Sequence, residues 1–498
     1  MAVTRKKSFI LRSFCLLVIF VLLSGCSYTW NLKVLTRQQA IEDIDCLVEN
    51  IENIHYDPFA RLDVDDFNAY VQTIKSGFDE KVTRKDLSIS IMELLELLED
   101  EHTNLGSFPD FMKYIRSGGK VLPFNLDYRN GDYFVTNAVD ANEPEQLKTD
   151  VRLVEIDDKP VDSFVEKYRK FVSAQSDYFK NIIIAARFKM YFWYFEGPRD
   201  NFKVKMEDAE TGVCTKVVEA FSSRDYKKYD IKKKVKAEDM FTYRFFRDGD
   251  VCLFKATSFD SLNEDLTENV SVRKKLIKIL DNLVADMNRN NCSILLVDLR
   301  DNGGGDKQYG IELLKRTADK PFELPQEHIR NSKAARKNLI INGLEKNRIP
   351  AFLNLEKIID FRLYGMKKKD FDIDGQYWHG RQELVKPFDD HWDGKIVLLV
   401  DGLTCSAAVG LASIVKDNNL GLIAGQETGG RATFYGGMVP LILPNSGLVC
   451  NLSNVLNIRP AGFDDGRGVL PDLELDVTLD DEVIIEKIYD YIMMNSQN

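Results

Sequence analysis

Four short runs of apolar residues punctuate this chain: Val251–Ala256, Ser293–Leu299, Lys395–Val400 and Leu420–Ala424. They are rich in Val, Ile and Leu and do not alternate with polar residues, which predicts strands covered on both faces. Helical patterns separate and follow them. Val272–Met287 is amphipathic, whereas Ala407, Ala408, Val409, Leu411, Ala412, Ile414 and Val415 make a helix apolar on nearly every side, ending near Asn418-Asn419. Upstream, Ile41, Ile44, Leu47 and Ile51 recur at helical spacing, and Phe67–Phe78 and Leu87–Leu98 predict two further helices. From residue 118 the pattern changes. Phe124–Tyr128 and Tyr133–Thr136 flank Arg129-Asn130-Gly131-Asp132, a hairpin signal. Residues 439–458 alternate like strands, and Asp481–Met493 closes the chain as a helix.

The length of 498 residues suits about three domains. The pattern divides it into a helical region at 35–115, a β-rich region at 118–222, a core at 236–480 and a C-terminal helix at 481–498. Lys227–Asp239 reads as a charged connector. Inside the core, residues 309–390 form an insertion with a basic helical run, Arg330–Lys346, and the aromatics Phe361, Tyr364, Phe371, Tyr377 and Trp378. The expectation is a satellite subdomain covering the core, since aromatics more often pack than recognise; the other reading is a lid or an apolar side-chain pocket.

Residues 1–25 change the picture of where the chain works. Arg5, Lys6, Lys7 and Arg12 precede an apolar run, Phe14–Leu23, that stops just before Cys26. This is a secretory signal, short for a membrane span. Leu23-Ser24-Gly25-Cys26 resembles a bacterial lipobox, which implies cleavage before Cys26, lipid on its thiol and a place in the cell envelope. The net charge of −11 excludes the basic footprint of a nucleic-acid binder, so lipid and not charge would hold the chain at a membrane. Cys46, Cys214, Cys252, Cys292, Cys405 and Cys450 are scattered without a C-x-x-C, which argues against a zinc or redox motif. Cys252 and Cys292 sit in apolar runs as small hydrophobes.

Candidate chemistry gathers at two strand ends. Ser406 falls where the Lys395–Val400 strand gives way to the buried helix, so its hydroxyl meets the unpaired N–H groups of a helix N-terminus, a setting that favours an oxyanion. The same position suits a plain N-cap serine. Asp298-Leu299-Arg300-Asp301-Asn302-Gly303-Gly304-Gly305 ends another strand, and its glycines let backbone N–H groups approach a ligand. Ser413-Ile414-Val415-Lys416 spells S-x-x-K, but it lies within the buried helix and neither S-D-N nor K-T-G follows.

These two blocks, followed by Gly425-Gln426-Glu427-Thr428-Gly429-Gly430, resemble the S41 peptidases: C-terminal processing proteases, tricorn-type proteases and retinoid-binding relatives. The resemblance spans most of residues 35–480. It implies a crotonase/ClpP-like α/β core with an N-terminal helical domain and a PDZ-like β-rich domain. It also implies Ser406 as nucleophile and an oxyanion hole from the Gly303–Gly304 backbone and the Ala407 N–H. Neither metal nor cofactor is implied, and the partner is a peptide or protein substrate. Arg152–Val161 is PDZ-like, with Asp157-Asp158 in place of Asn-Gly; a plain β-rich insertion fits it as well. Cys405 could be mistaken for the nucleophile, but the family pattern puts the serine one residue later.

Processing proteases of the family pair their serine with a lysine 25 residues on, and here that residue is Arg431. Arginine cannot act as a base near neutral pH. Glu99-Asp100-Glu101-His102-Thr103 offers another base, since it falls where tricorn-like members carry Asp-Gly-His-Thr, with Glu101 replacing the glycine. His102 is then the general base. Asp465, three residues before Gly468 of the closing turn, is the acid that orients it, although Asp464 is adjacent and a turn aspartate also caps its own backbone. His55 reads as a packing residue. The function implied is a lipid-anchored serine endopeptidase. The alternative is a non-catalytic binding protein for peptide or apolar ligand on the same fold.

Overall fold

The computed structural model describes residues 32–136, 148–222, 240–259, 266–346 and 376–495. The signal segment with Cys26, the connector 227–239, and Phe361, Tyr364 and Phe371 lie outside them.

The N-terminal region is helical for local reasons. Arg37–Ile54 begins at a capping box in which the Thr36 hydroxyl accepts the Gln39 N–H and the Gln39 side chain accepts the Thr36 N–H. The Asp63 and Thr83 side chains cap Val64–Ser76 and Arg84–Glu96 by accepting N–H groups of their first turns. Ala40, Ile44, Leu47, Ile51 and Ile54 form the buried stripe of the first helix.

The next sheet runs in the order Gly212–Glu219, Asn201–Asp208, Val151–Ile156, Asp132–Thr136, Asn125–Arg129. Its hairpin turns at Asn130 and Gly131, both with positive φ, as a type I′ turn demands. Asp157 and Asp158 turn with positive φ too, between Val151–Ile156 and Lys159–Pro160, and the helix Val161–Arg169 follows.

The core is a second sheet in the order Phe241–Phe246, Val251–Ala256, Ile294–Asp298, Lys395–Val400, Gly421–Gly425, Leu473–Glu474. The first pairing is antiparallel and the others are parallel. Both faces are covered, which explains the unbroken apolar runs. Cys252, Leu295, Val297, Ile396 and Leu398 pack with Leu276, Leu280, Leu283 and Met287 of the helix Leu266–Arg289 and with Val409 and Ala412. Leu253, Ile294, Leu296, Val397 and Leu399 pack with Ile484, Ile485, Ile488 and Ile492 of the helix Asp481–Asn495. The C-terminal helix is therefore one wall of the core.

A third sheet brings distant segments to the site. Its order is Tyr377–His379, Gln326–Arg330, Val449–Ile458, Phe434–Ile442, and Asn104–Leu105 adds to Val449–Ile458. Asn104 pairs with Asn451 and Leu105 with Cys450, so the segment after His102 is stitched to the core region. Parts of the 309–390 insertion join this sheet as well. No helix of the described residues is long and apolar enough to cross a membrane.

Candidate active site

The site forms at the C-terminal ends of the parallel strands, where an α/β sheet leaves a crevice. Two loops interlock there. The Thr404 hydroxyl donates to the Leu299 carbonyl at 2.9 Å, the Cys405 N–H to the Asn302 carbonyl at 3.1 Å, and the Asp301 N–H to Asp401 Oδ2 at 3.0 Å. Thr404 and Asn302 are fully buried, so these bonds fix the two strand ends against each other.

Ser406 occupies the N-cap position of the helix Ala407–Asp417 but does not act as a cap. Its side chain makes no capping hydrogen bond, and its backbone has φ 54° and ψ −122°, whereas a capping serine is extended. A non-glycine residue in that region is strained by roughly 1–3 kcal/mol, and such strain clusters at active sites. The hydroxyl lines a cavity of about 380 Å³ with Ala407, Gly410, Leu411, Phe434 and Trp378. Trp378 thus lines the site, where the insertion's aromatics had been expected to cover the core. Cys405 is no rival nucleophile: burial, then the Glu101 charge, pushes its thiol well above its ordinary range.

The expected oxyanion donors divide. The N–H groups of Gly303 and Ala407 carry no hydrogen bond among the described residues. The Gly304 N–H is already given to Asn302 Oδ1 at 2.9 Å, which corrects its expected part as a donor. Its contribution is steric: a Cβ there would lie 2.7 Å from Ala407 N, Cys405 O and Ser406 Cβ, and φ is +94°. Only glycine lets the loop come so close to the serine turn.

His102 is buried, and the ring of Phe434, a residue that also lines the Ser406 cavity, stacks on its imidazole with centroids 5.7 Å apart. Its loop is held by Asp100. That carboxylate accepts the His102 N–H at 3.0 Å through Oδ1 and His55 Nε2 at 3.1 Å through Oδ2. Burial raises the Asp100 pKa, but the His55 bond and nearby imidazoles outweigh it and hold it below the usual carboxylate range. His55, read as a packing residue, also accepts the Asp57 N–H, so it anchors the loop. His102 Nδ1 faces Glu101 Oε1 at 3.4 Å. Burial pulls the imidazole pKa down, but Glu101 and then Asp100 carry it above its ordinary value.

Asp465 does not meet His102. It is exposed, its Oδ2 lies 3.6 Å from Arg459 Nη1, and its Oδ1 accepts the Arg467 N–H at 3.2 Å. Among the described residues Asp465 thus has no contact with the imidazole it was expected to orient; the cation beside it is Arg459, itself paired with Asp417. Arg431 donates through Nη2 to the Gln175 carbonyl at 2.6 Å and so ties down a loop. Asp100, Glu101 and His102 place one ligand atom each within 4.8 Å of one another, yet both Asp100 oxygens are engaged, which leaves a poor donor set for a metal.

A strained, uncapped serine packed against Gly304, with Phe434 shared between its cavity and a buried histidine, is an arrangement that suits serine-type hydrolysis. Residues 251–475 match the model of peptidase family S41. The chain carries a peptidase domain of that family and is a serine-type peptidase. Among solved structures it is similar to mature CPAF complexed with lactacystin, with a TM-score of 0.62 at 14% identity over 88% of this chain and 94% of that one. Mature CPAF alone gives 0.62 at 15% identity over 88% and 93%. The photosystem II D1 C-terminal processing protease gives 0.44 at 15% identity over 88% and 93%. No match is found among curated proteins.

Proposed function

We propose that the protein is an exported, lipid-anchored endopeptidase in which Ser406 attacks the scissile carbonyl and His102 is the general base. The observation that carries this reading is the uncapped Ser406 in its strained turn, lining a cavity at its helix start, with the Gly303 and Ala407 N–H groups unbonded among the described residues. Nδ1 of His102 is turned to Glu101, which leaves Nε2 to take the serine proton and return it to the leaving amine. The two N–H groups stabilise the tetrahedral oxyanion. Leu324, Ile329, Leu411, Phe434 and Trp378 suit an apolar substrate side chain next to the scissile bond. Export and lipid attachment at Cys26 rest on the sequence of residues 1–26.

A fluorophosphonate probe tests the centre. The full chain should label, Ser406→Ala and His102→Ala should not, and peptides with bulky apolar residues should be cut ahead of charged ones. A full chain that resists the probe would favour the binding-protein alternative. Cys26→Ala should release the processed protein from the membrane fraction.

A further inference from the structure

We infer that Glu101 is the positioning carboxylate of His102, the role expected of Asp465; the inference rests on the reading of His102 as base. Glu101 and His102 are neighbours in sequence, yet their side chains turn to the same place, with Oε1 3.4 Å from Nδ1. Both are inside the protein, with side chains 5% and 8% exposed respectively. Neither Glu101 oxygen has a hydrogen-bond partner among the described residues, and neither has His102 Nδ1. A carboxylate taken from water without donors is costly unless a cation or donor compensates. Among the described residues the group in place to do so is the imidazole, with its proton on Nδ1.

Other candidates for that role are engaged elsewhere. Asp100 gives one oxygen to His55 and the other to the His102 backbone. Asp465 is held by Arg459. The groups facing the ring are therefore Glu101 and Asp100, with His55 behind Asp100, and Phe434 covers one face; the Cys405 thiol stays neutral on the far side of Gly430 from Glu101. Gly430 links Glu101 to the nucleophile turn. A Cβ at Gly430 would stand 3.2 Å from Cys405 Sγ and 3.6 Å from Glu101 Oε1, so the carboxylate sits one residue's thickness from the residue before Ser406. In the ground state Glu101 fixes the Nδ1–H tautomer. When Ser406 gives its proton to Nε2, Glu101 stabilises the imidazolium.

The test is the rate of fluorophosphonate labelling of the full chain against pH. Glu101→Gln should slow labelling about 100-fold or more and move its acid limb to lower pH, because a charge that favours the imidazolium is gone. Glu101→Asp should keep the limb and recover part of the rate. Asp465→Asn should stay within about threefold with the limb unmoved, as expected of an exposed pair. A Glu101→Gln enzyme with wild-type rate and limb, or an Asp465→Asn enzyme that shows both effects, would overturn the assignment. If Glu101→Gln does not fold, Glu101→Asp decides: a wild-type rate sinks the inference, and a rate at least tenfold lower with the limb in place supports it. A wild-type protein that never labels, or a His102→Ala variant that labels normally, instead brings down the proposed function.

Discussion

Phe434 and His102 stack with their ring planes 23° apart, and Phe434 also walls the cavity that holds Ser406. One side chain thus serves the base and the substrate space. It is 7% exposed and pairs through its backbone with Asn457. Phe434→Ala removes the wall of the imidazole pocket, and Phe-to-Ala changes in cores cost about 3–5 kcal/mol. The expected result is a lower unfolding midpoint together with labelling slowed at least tenfold. Phe434→Leu, which keeps most of the volume, should recover stability better than rate.

Ser406 stores backbone strain, so stability and activity should part company there. Ser406→Ala should abolish labelling and leave the melting temperature near wild type, since alanine meets the same restriction. Ser406→Gly should abolish labelling and raise stability by about 1–3 kcal/mol, the cost of a non-glycine residue in such a conformation. Thermal or urea unfolding checks this. A glycine variant no more stable than the alanine variant would show that the turn is unstrained.

Gly304 and Gly303 should respond differently to the same substitution. At Gly304 a Cβ meets backbone atoms at 2.7 Å on a φ of +94°, so Gly304→Ala must push the triple-glycine loop off the serine turn. Removing oxyanion stabilisation costs about 10²–10³ in rate, and that loss is expected with lowered stability. At Gly303 nothing lies within 4 Å of the added carbon, and Gly303→Ala should melt like wild type. Equal melting of the two variants would contradict the close approach.

What the sequence could and could not show follows from the range of the interactions. The four core strands were legible because both faces are buried, which leaves a local signature. Ser406 and the triple glycine were legible because a strand end, a turn and a helix start are also local. The role given to Asp465 came from a position in a resemblance, and nothing in the pattern announces that Arg459, a buried cation earlier in the same loop, lies beside that carboxylate. The fate of the Gly304 N–H turned on a single side chain, Asn302. Glu101 was visible only as a departure from glycine. Its surroundings include Gly430, a residue distant from it in sequence.

The serine helix is anchored at its other end. Asp417, its last residue, takes Arg459 Nη2 at 2.6 Å and Nε at 2.9 Å, plus the Ala461 N–H at 3.0 Å. The two side chains are 4% and 6% exposed. Breaking a buried, two-point ion pair strands a charge and costs about 3–5 kcal/mol, whereas replacing both partners with apolar residues can be near neutral. Asp417→Ala and Arg459→Ala should each lower the unfolding free energy by that amount. The double change Asp417→Leu with Arg459→Met should cost less than either. Strict additivity of the two single losses would show that the residues act independently.

Activity and stability should move in opposite directions as pH rises above neutrality. His102 has its pKa raised above the ordinary 6.5 of the unfolded chain by Glu101 and Asp100, against burial. The base works only when neutral, so labelling should rise with pH through an ionisation above 6.5. A raised histidine pKa means that the folded state holds its proton more tightly than the unfolded one. The stability from this pairing is therefore complete below 6.5 and is lost as pH climbs through the folded-state value. Asp401 titrates in a separate window. Burial, and then the Asp301 charge, pushes it up to about 6, so its stabilising proton is lost between the ordinary 3.8 and that value. Melting temperature against pH should thus fall in two steps, one below about 6 and one above 6.5. His102→Ala should erase the upper step and the labelling limb together while leaving the lower step in place. Should the upper step persist in that variant, the ionisation belongs to another group and His102 does not set the pH dependence.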